Sequence, residues 1–189
     1  MPYPIQGRQE LSKMYKLPRI LFLALALFSL FFSVKAQSGA DEPEVETRYN
    51  KDKDETEIEI TQIPISVDNS KLAFLGVTAV FKGQKVSKPD FILFIVSVIS
   101  VGNYKYPSIN QVVLTSEGKS FGEIVMLNLD QRKLSENEFL ETIGTRMKFD
   151  IFKKFLASKK VTFQMGTSNF QVGESQISKL IEFEKVINP

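Results

Sequence analysis

The chain lacks two residue types, and each absence limits its chemistry: among 189 residues there is no cysteine and no histidine. Without cysteine there is no disulfide framework and no thiol nucleophile. Without histidine there is no side chain that ordinarily titrates near neutral pH, and the commonest zinc ligand is missing. Serine–histidine–aspartate catalysis, cysteine–histidine catalysis and histidine-based metal sites are therefore excluded. The sequence indicates no cofactor and no metal site.

One long apolar run lies near the N-terminus, from Ile20 to Val34. At about 1.5 Å per helical residue it reaches roughly 22 Å, less than the ~30 Å hydrocarbon core of a membrane. Basic residues precede it, and it closes on Val34-Lys35-Ala36, which suits a signal peptidase. We therefore expect residues 1–36 to contain a signal peptide, with cleavage between Ala36 and Gln37. The true start of the protein is expected at Met14.

This segment decides the expected location of the protein. Removal of the signal peptide would export the chain to the periplasm or to the outside of the cell. The alternative is an uncleaved N-terminal anchor, in which Lys35 impairs processing and flanking residues lengthen the helix. Contact with a membrane is expected only through such an uncleaved leader.

The net charge depends on the leader. Residues 1–36 hold five of the 24 basic and one of the 22 acidic residues, so the net charge of +2 becomes −2 for the remainder. Binding to nucleic acid needs a basic surface that displaces counterions. The sequence therefore predicts no nucleic-acid partner.

Two regions follow the leader. Residues 37–55 are polar and charged with few large apolar groups, so we expect a flexible segment. Residues 56–189 have the length and apolar content of a single domain. The segment 56–67 alternates, with a phase slip at Thr61-Gln62 that suggests a bulge, and Pro64 indicates an edge position. Further strands are predicted at 72–81, 91–101, 111–115, 120–129, 139–147, 161–165 and 170–172.

Turn and helix signals complete the predicted fold. Ser116-Glu117-Gly118-Lys119 and Gly166-Thr167-Ser168-Asn169 are typical of hairpin turns. Apolar residues at helical spacing predict a short helix near 149–158 and a C-terminal helix near 174–187. We predict a mainly β protein with an α+β finish: an antiparallel β-sandwich that carries these two helices.

A set of packing positions in the C-terminal third carries a resemblance: Phe152, Phe155, Leu156, Val161, Met165, Gly166, Phe170, Val172, Ile177 and Leu180. This pattern resembles a group of uncharacterised exported bacterial proteins that are rich in β-structure. In that group a short helix, a glycine-centred hairpin and a terminal helix close the domain. The resemblance extends from Thr56 to Ile187 and includes the turns at 81–90 and 115–119. It implies a fold, and it assigns no activity and no functional residue.

Three short matches to ligand motifs have simpler explanations. Asp52, Asp54 and Thr56 match a D-x-D-x-T string, but no buried strand precedes them. Gly118-Lys119-Ser120 resembles a phosphate-binding loop, but the first glycine of that motif is absent, so a hairpin turn explains these residues. The acidic stretch 41–46 lacks the glycine and the ligand spacing of a calcium loop.

The loop that contains Tyr104, Lys105 and Tyr106 is the candidate binding site. Two tyrosines that flank a lysine offer an amphipathic surface for a protein or carbohydrate partner. The alternative is that Tyr104 and Tyr106 cap the end of the preceding strand against the rim of the sandwich.

These observations favour an exported, non-catalytic protein that binds or scaffolds a component of the bacterial envelope. The alternative is a carboxylate-dependent hydrolase that acts on envelope or extracellular glycan, which needs two carboxylates about 5 to 10 Å apart in a cleft. The available carboxylates are those of Glu117, Glu123, Asp130, Glu136, Glu138 and Glu141. Most of them fall where turns or exposed faces are expected, so no catalytic residue is assigned.

Overall fold

A computed structural model describes residues 44–68, 70, 72–106 and 108–189. The predicted signal peptide 1–36, its start at Met14 and the cleavage site between Ala36 and Gln37 lie outside the described residues. Within the described part of the chain, no helix is both long enough and apolar enough to cross a membrane.

Nine strands and two helices make up the described body. Their bounds are β1 Val45–Asn50, β2 Glu55–Val67, β3 Leu72–Lys82, β4 Phe91–Val101, β5 Ile109–Ser116, β6 Lys119–Lys133, β7 Glu138–Lys148, α1 Phe149–Leu156, β8 Val161–Met165, β9 Ser168–Val172 and α2 Glu174–Ile187. The mainly β class, the antiparallel pairing and the two C-terminal helices confirm that part of the prediction.

Eight of these strands form a closed barrel, so the predicted sandwich is wrong. The strand order is β2-β3-β4-β7-β6-β5-β8-β9, and β9 returns to β2. That return joins Ser66 and Val67 of β2 to Gln171 and Phe170 of β9. A sandwich and a barrel both have one apolar face on each strand. The alternation of residues therefore predicts the faces, but it does not specify that the first and last barrel strands pair.

The central strands β3 and β4 supply much of the core. On β4, the side chains of Ile92, Phe94, Val96 and Val98 point into the barrel and are fully buried or nearly so. The outward-facing Ile95 is buried as well, at 3% exposure. Burial on both faces explains why this segment is a nearly continuous run of β-branched and aromatic residues.

The strand β2 carries the predicted irregularities. Its register with β3 shifts between Ile60 and Ile63, and Gln62 has a positive φ of 60°. This is the bulge that the phase slip predicts. Pro64 lies on the stretch of β2 between the residues that pair with β1 and those that pair with β9, where its missing N–H costs no pairing.

The strand β1 lies inside the segment 37–55 that composition predicts to be flexible. It pairs with β2 from Val45 opposite Ile60 to Asn50 opposite Glu55. Its polar residues contact a charged stretch of β2, and the Arg48 guanidinium forms an ion pair with Glu59 at 3.1 Å. Pairing along an existing strand edge therefore gives structure to a sequence with few large apolar groups.

The two predicted hairpins are present. Glu117 and Gly118 have φ values of 50° and 77°, as the two central residues of a type I′ turn require. In the second hairpin the turn is shorter than predicted, because Ser168 and Asn169 already belong to β9 and pair with Met165 and Gln164.

The helices close the end of the barrel where β4 begins and β7 ends, which we call the helix end. Buried Phe155 of α1 packs edge-on against Phe94 of β4, with ring centroids 5.6 Å apart. Phe152 joins α1 to Phe183 of α2 at 6.1 Å. The opposite end, where β4 ends and β7 begins, is covered by the loop 102–106, and we call it the loop end.

Candidate binding groove

A buried carboxylate holds the loop at the loop end. Glu141 lies on the inward face of β7, in phase with Ile143, and has no exposed surface. Its oxygens accept hydrogen bonds from the backbone N–H groups of Lys105 at 2.8 Å and Tyr106 at 3.1 Å. A third comes from the side-chain amide of Gln131 at 3.1 Å. These three hydrogen bonds stabilise the carboxylate.

Tyr106 closes the barrel beneath this loop. Its side chain is only 5% exposed, and its ring packs 6.0 Å from that of Phe170. The hydroxyl is within 3.2 Å of the hydroxyls of Ser168 and Ser70. Burial raises the pKa of the Tyr106 phenol above its usual value. Tyr106 is thus part of the packed interior.

Tyr104 is the ring of the loop that remains accessible. It is 39% exposed and packs edge-on against Phe139, with centroids 4.8 Å apart. Lys105 is half-buried, and its backbone is fixed by Glu141. The structure therefore brings the three predicted residues together but points the two tyrosines in different directions. A binding role for the loop stays a prediction.

A second feature lies beside the loop, where β5 and β8 meet. Within the described residues, these strands are bridged by one residue pair, Thr115 with Thr162. The strands β5 and β6, by contrast, pair along the whole length from Ile109 to Ser116. The Thr115 hydroxyl lies 3.0 Å from the Thr162 carbonyl oxygen, to which it donates, and 2.7 Å from the Thr162 hydroxyl. Thr115 and Thr162 therefore join β5 to β8 near the helix end.

A surface groove of about 530 Å³ lies along this junction, and we call it the seam groove; it is lined by Gln111, Val113, Thr115, Thr162, Phe163, Gln164, Gly166 and Asn169. In an antiparallel register set by Thr115 and Thr162, Val113 would face Gln164 and Gln111 would face Gly166. The groove thus lies on the outer face of the β5–β8 junction, where Gln111 and Val113 point outward.

Aromatic packing holds the far wall of the groove in place. The rings of Phe163 on β8 and Phe170 on β9 stack with centroids 5.1 Å apart and planes 3° apart. Phe94 packs edge-on against Phe163 at 6.4 Å. On the outside, the Asn169 side-chain amide donates to Asp68 at 2.7 Å. This hydrogen bond and one from the Asn169 backbone lower the pKa of the Asp68 carboxyl.

The seam groove and the loop are adjacent. Gly166 lines the groove at the hairpin turn, with a φ of 55°. A Cβ atom at this position would lie 3.5 Å from the Lys105 carbonyl oxygen and 3.9 Å from the Tyr106 ring. The loop and the groove therefore meet at Gly166.

The chemistry of the groove is that of neutral hydrogen bonding. Five of its eight described lining residues carry amides or hydroxyls, and none carries a carboxylate or a cation. The carboxylates considered for hydrolysis lie elsewhere: Asp130 pairs with Arg132 at 2.6 Å, and Glu141 holds the loop. Among the described residues, no three acidic side chains converge in a way that could hold a metal ion. The groove therefore offers neutral hydrogen-bond donors and acceptors.

Two features of this site were not predicted from the sequence. The burial of Glu141 could have been predicted, because Glu141 alternates in phase with the apolar residues Ile143 and Met147, both of which are fully buried. The seam groove could not have been predicted, because β5 and β8 are far apart in the chain and each has the alternation of an ordinary strand.

The comparisons with known proteins give no further assignment. No protein-family model, no curated protein and no solved structure matches the chain.

Proposed function

We propose that this protein is a non-catalytic binding protein of the bacterial envelope and that its partner binds in the seam groove. The observation that supports this most directly is the groove itself. It is a concavity on the outer surface of the barrel, with a wall fixed by the Phe163 and Phe170 stack. Its volume lies within the range of roughly 300–1,000 Å³ that is typical of ligand clefts.

The lining favours binding over hydrolysis of a glycan. Hydrolysis needs a carboxylic acid and a carboxylate on opposite sides of the bond that breaks. The eight described residues of the groove provide amides, hydroxyls and one exposed apolar side chain, Val113, at 43% exposure. Exposed Tyr104, which packs against Phe139 of β7, adds an accessible aromatic ring at the loop end.

The location in the envelope rests on the N-terminal sequence. The short apolar run from Ile20 to Val34 and the small residues before Gln37 support export, either to the periplasm or outside the cell. The resemblance to exported β-rich bacterial proteins supports the same location. N-terminal sequencing of the protein recovered from cell fractions tests this, with Gln37 expected as the first residue. A protein that keeps residues 20–34 would support the anchored alternative.

The test of the binding function compares two matched variants. Val113→Arg places a long cation in the groove, and Val80→Arg places the same change at an equally exposed valine on β3, which does not line the groove. The purified protein is presented to an array of bacterial glycans and to a display library of random peptides. We expect a ligand that binds wild type and Val80→Arg but not Val113→Arg. A ligand that binds all three equally, or no ligand at all, would overturn the proposed site.

A further inference from the structure

We infer that the strand β1 is a self-association edge, at which the β1 strands of two copies of the chain pair antiparallel about a two-fold axis at Thr47. This inference goes beyond the proposed function, because none of the described groove-lining residues belongs to β1 or β2. Each copy in the pair would still present its seam groove to a partner.

The position of β1 in the sheet supports this role. In the strand order β1 comes last, with β2 on one side and no described strand on the other. It pairs with residues 55–60 of β2, whereas the barrel strand β9 reaches β2 only at Ser66 and Val67. Within the described residues, the outer side of β1 is therefore a lateral edge of the sheet. Such an edge is a template for pairing with another strand.

The sequence of β1 is complementary to itself when two copies run in opposite directions. With Thr47 opposite Thr47 of the second copy, Val45 lies opposite Tyr49, and Glu46 lies opposite Arg48. Aromatic with β-branched, threonine with threonine, and acid with base are the cross-strand pairs that stabilise antiparallel sheets. Every position from Val45 to Tyr49 thus meets a favourable partner, as a two-fold interface requires.

The charged residues select this register. A shift by two residues in one direction would place Glu46 opposite Glu46 of the second copy, and a shift in the other would place Arg48 opposite Arg48. Like charges directly opposite each other are destabilising. An apolar strand from an unrelated protein would set uncharged groups against both charged side chains, so the edge favours a second copy of itself.

The charges around β1 within one copy favour the same partner. Glu46 lies directly opposite Glu59 of β2, and the Arg48 guanidinium forms ion pairs with both carboxylates. One cation is therefore shared between two acids that repel each other. In the proposed pair, Arg48 of the second copy approaches Glu46 from the other side and supplies a second cation.

The pairing is short, so the dimer is weak and reversible. The six residues of β1 span roughly 20 Å at about 3.3 Å per residue. One strand pair of this length buries less than the roughly 1,600 Å² of a typical stable interface. We expect a dissociation constant on the order of 10–100 μM.

The first test is sedimentation equilibrium of the purified protein with charge variants. Glu46→Arg and Arg48→Glu each place like charges opposite each other in the pair, so each should weaken the dimer by about tenfold or more. An equimolar mixture of the two variants restores opposite charges at both positions and should dimerise as wild type does. Recovery in the mixture also shows that each variant is folded. The control is Val125→Arg, at an exposed position on β6, which should leave the dimer unchanged.

The second test uses the absence of cysteine from the chain. Thr47 is exposed, and Thr47→Cys places one thiol per copy at the two-fold axis. Directly opposite residues of antiparallel strands have Cβ atoms about 4.5–5.5 Å apart, close to the roughly 3.5–4.5 Å that a disulfide spans. Mild oxidation should therefore link Thr47→Cys into a covalent dimer, and Val125→Cys should stay monomeric.

Several outcomes would overturn the inference. They are a wild type that stays monomeric up to roughly 1 mM, a dimer that neither charge change weakens, and a Thr47→Cys variant that forms no more disulfide than Val125→Cys. A dimer that Val113→Arg dissociates would place the contact at the seam groove and would overturn it as well. The binding function is tested separately, because ligand binding that depends on Val113 can be present or absent whether or not β1 pairs.

Discussion

Glu141 and Tyr106 are joined by a hydrogen bond of 3.1 Å from the Tyr106 backbone N–H to a carboxylate that has no exposed surface. The two residues are separated by the whole of β5 and β6, yet this bond and the one from Lys105 fix the loop that covers the end of the barrel. The same loop contacts the Gly166 turn at the edge of the seam groove. Glu141 therefore couples the interior of the barrel to the shape of the proposed binding surface.

Glu141→Ala should destabilise the fold by roughly 2–4 kcal/mol, because two backbone N–H groups lose a charged acceptor inside the protein. Glu141→Gln keeps one acceptor oxygen and should cost about half as much. Urea denaturation measures both changes. Glu136→Ala, at an exposed position close by in the chain, is the control and should leave the midpoint unchanged. Equal midpoints for Glu141→Ala and wild type would show that the loop is held by other contacts.

Tyr106 makes the fold sensitive to alkaline pH. Its folded-state pKa is raised, first by burial, so the neutral phenol contributes stability below the ordinary pKa of about 10 and loses it as pH rises through the folded-state pKa. Wild type should therefore be more stable than Tyr106→Phe near pH 8, by about 1 kcal/mol for the hydroxyl hydrogen bonds.

Near pH 11 this difference should shrink or reverse, since Tyr106→Phe has no phenol to ionise. Thermal unfolding of the two proteins at both pH values gives the comparison, and other titrating groups cancel in the difference. A difference that stays constant from pH 8 to pH 11 would contradict a buried, neutral Tyr106.

The sequence predicts single strands well and closure poorly, and particular residues show why. The strands 72–81 and 91–101 were predictable because Phe94, Val96 and their neighbours form local runs of β-branched and aromatic residues between turn signals. The pairing of Val67 with Phe170 closes the barrel, but it joins residues about a hundred positions apart and leaves no local trace. The predicted sandwich and the observed barrel thus share their eight strands, and the pairing of β2 with β9 closes the barrel.

The candidate site divides in the same way. Tyr104, Lys105 and Tyr106 could be recognised as a loop from Gly102 and the aromatic residues. That Tyr106 is buried and Tyr104 exposed depends on Phe170, Ser168 and Glu141, which come from later strands. Residue type therefore indicated the location of the surface, and tertiary packing decided which side chains it presents.

Ser100 provides a test of polar burial in the barrel. Its hydroxyl lies on the inward face of β4 with no exposed surface and has no hydrogen-bond partner among the described residues. Ser100→Ala should therefore stabilise the fold by about 1 kcal/mol, because an unpaired buried hydroxyl is removed at little cost in volume. Thr115→Ala, which removes a bonded hydroxyl, should have the opposite sign. The urea midpoints of the two variants and of wild type measure these changes. A lower midpoint for Ser100→Ala than for wild type would indicate that a bound water forms a hydrogen bond with the Ser100 hydroxyl.

Gly144 is required by close packing on the outside of β7. A Cβ atom there would lie 2.7 Å from Leu129 Cδ1 and 3.2 Å from the Phe94 carbonyl oxygen. Gly144→Ala should therefore cost about 1–3 kcal/mol, since the backbone of β4 cannot move aside as a side chain can. Gly122→Ala, which meets only the Ile151 side chain within 4 Å, should cost less. A double-mutant cycle with Leu129→Ala measures how much of the clash is relieved by shortening that side chain.

Glu57 gives the stability of the fold a second dependence on pH, because its buried carboxyl group loses a proton at neutral pH at a cost in free energy. Burial between β1 and β3 raises the pKa of its carboxyl above the ordinary value of 4.5, and the attraction of Arg48 opposes this only in part. The protonated acid is therefore the form that the fold favours. Its contribution is fully present below pH 4.5 and is lost as pH rises through the folded-state pKa.

Glu57→Gln replaces the carboxyl by a neutral group of the same shape, so it should raise the urea midpoint at pH 7 and leave it nearly unchanged at pH 4. The measurement at pH 4 is the internal control, since wild-type Glu57 is then largely neutral in the fold. A lower midpoint for Glu57→Gln at pH 7 would mean that the attraction of Arg48 outweighs the loss of hydration. In that case the ionised pair of Arg48 on β1 and Glu57 on β2 would help to hold β1 against β2. Removing Arg48 would then weaken the attachment of β1.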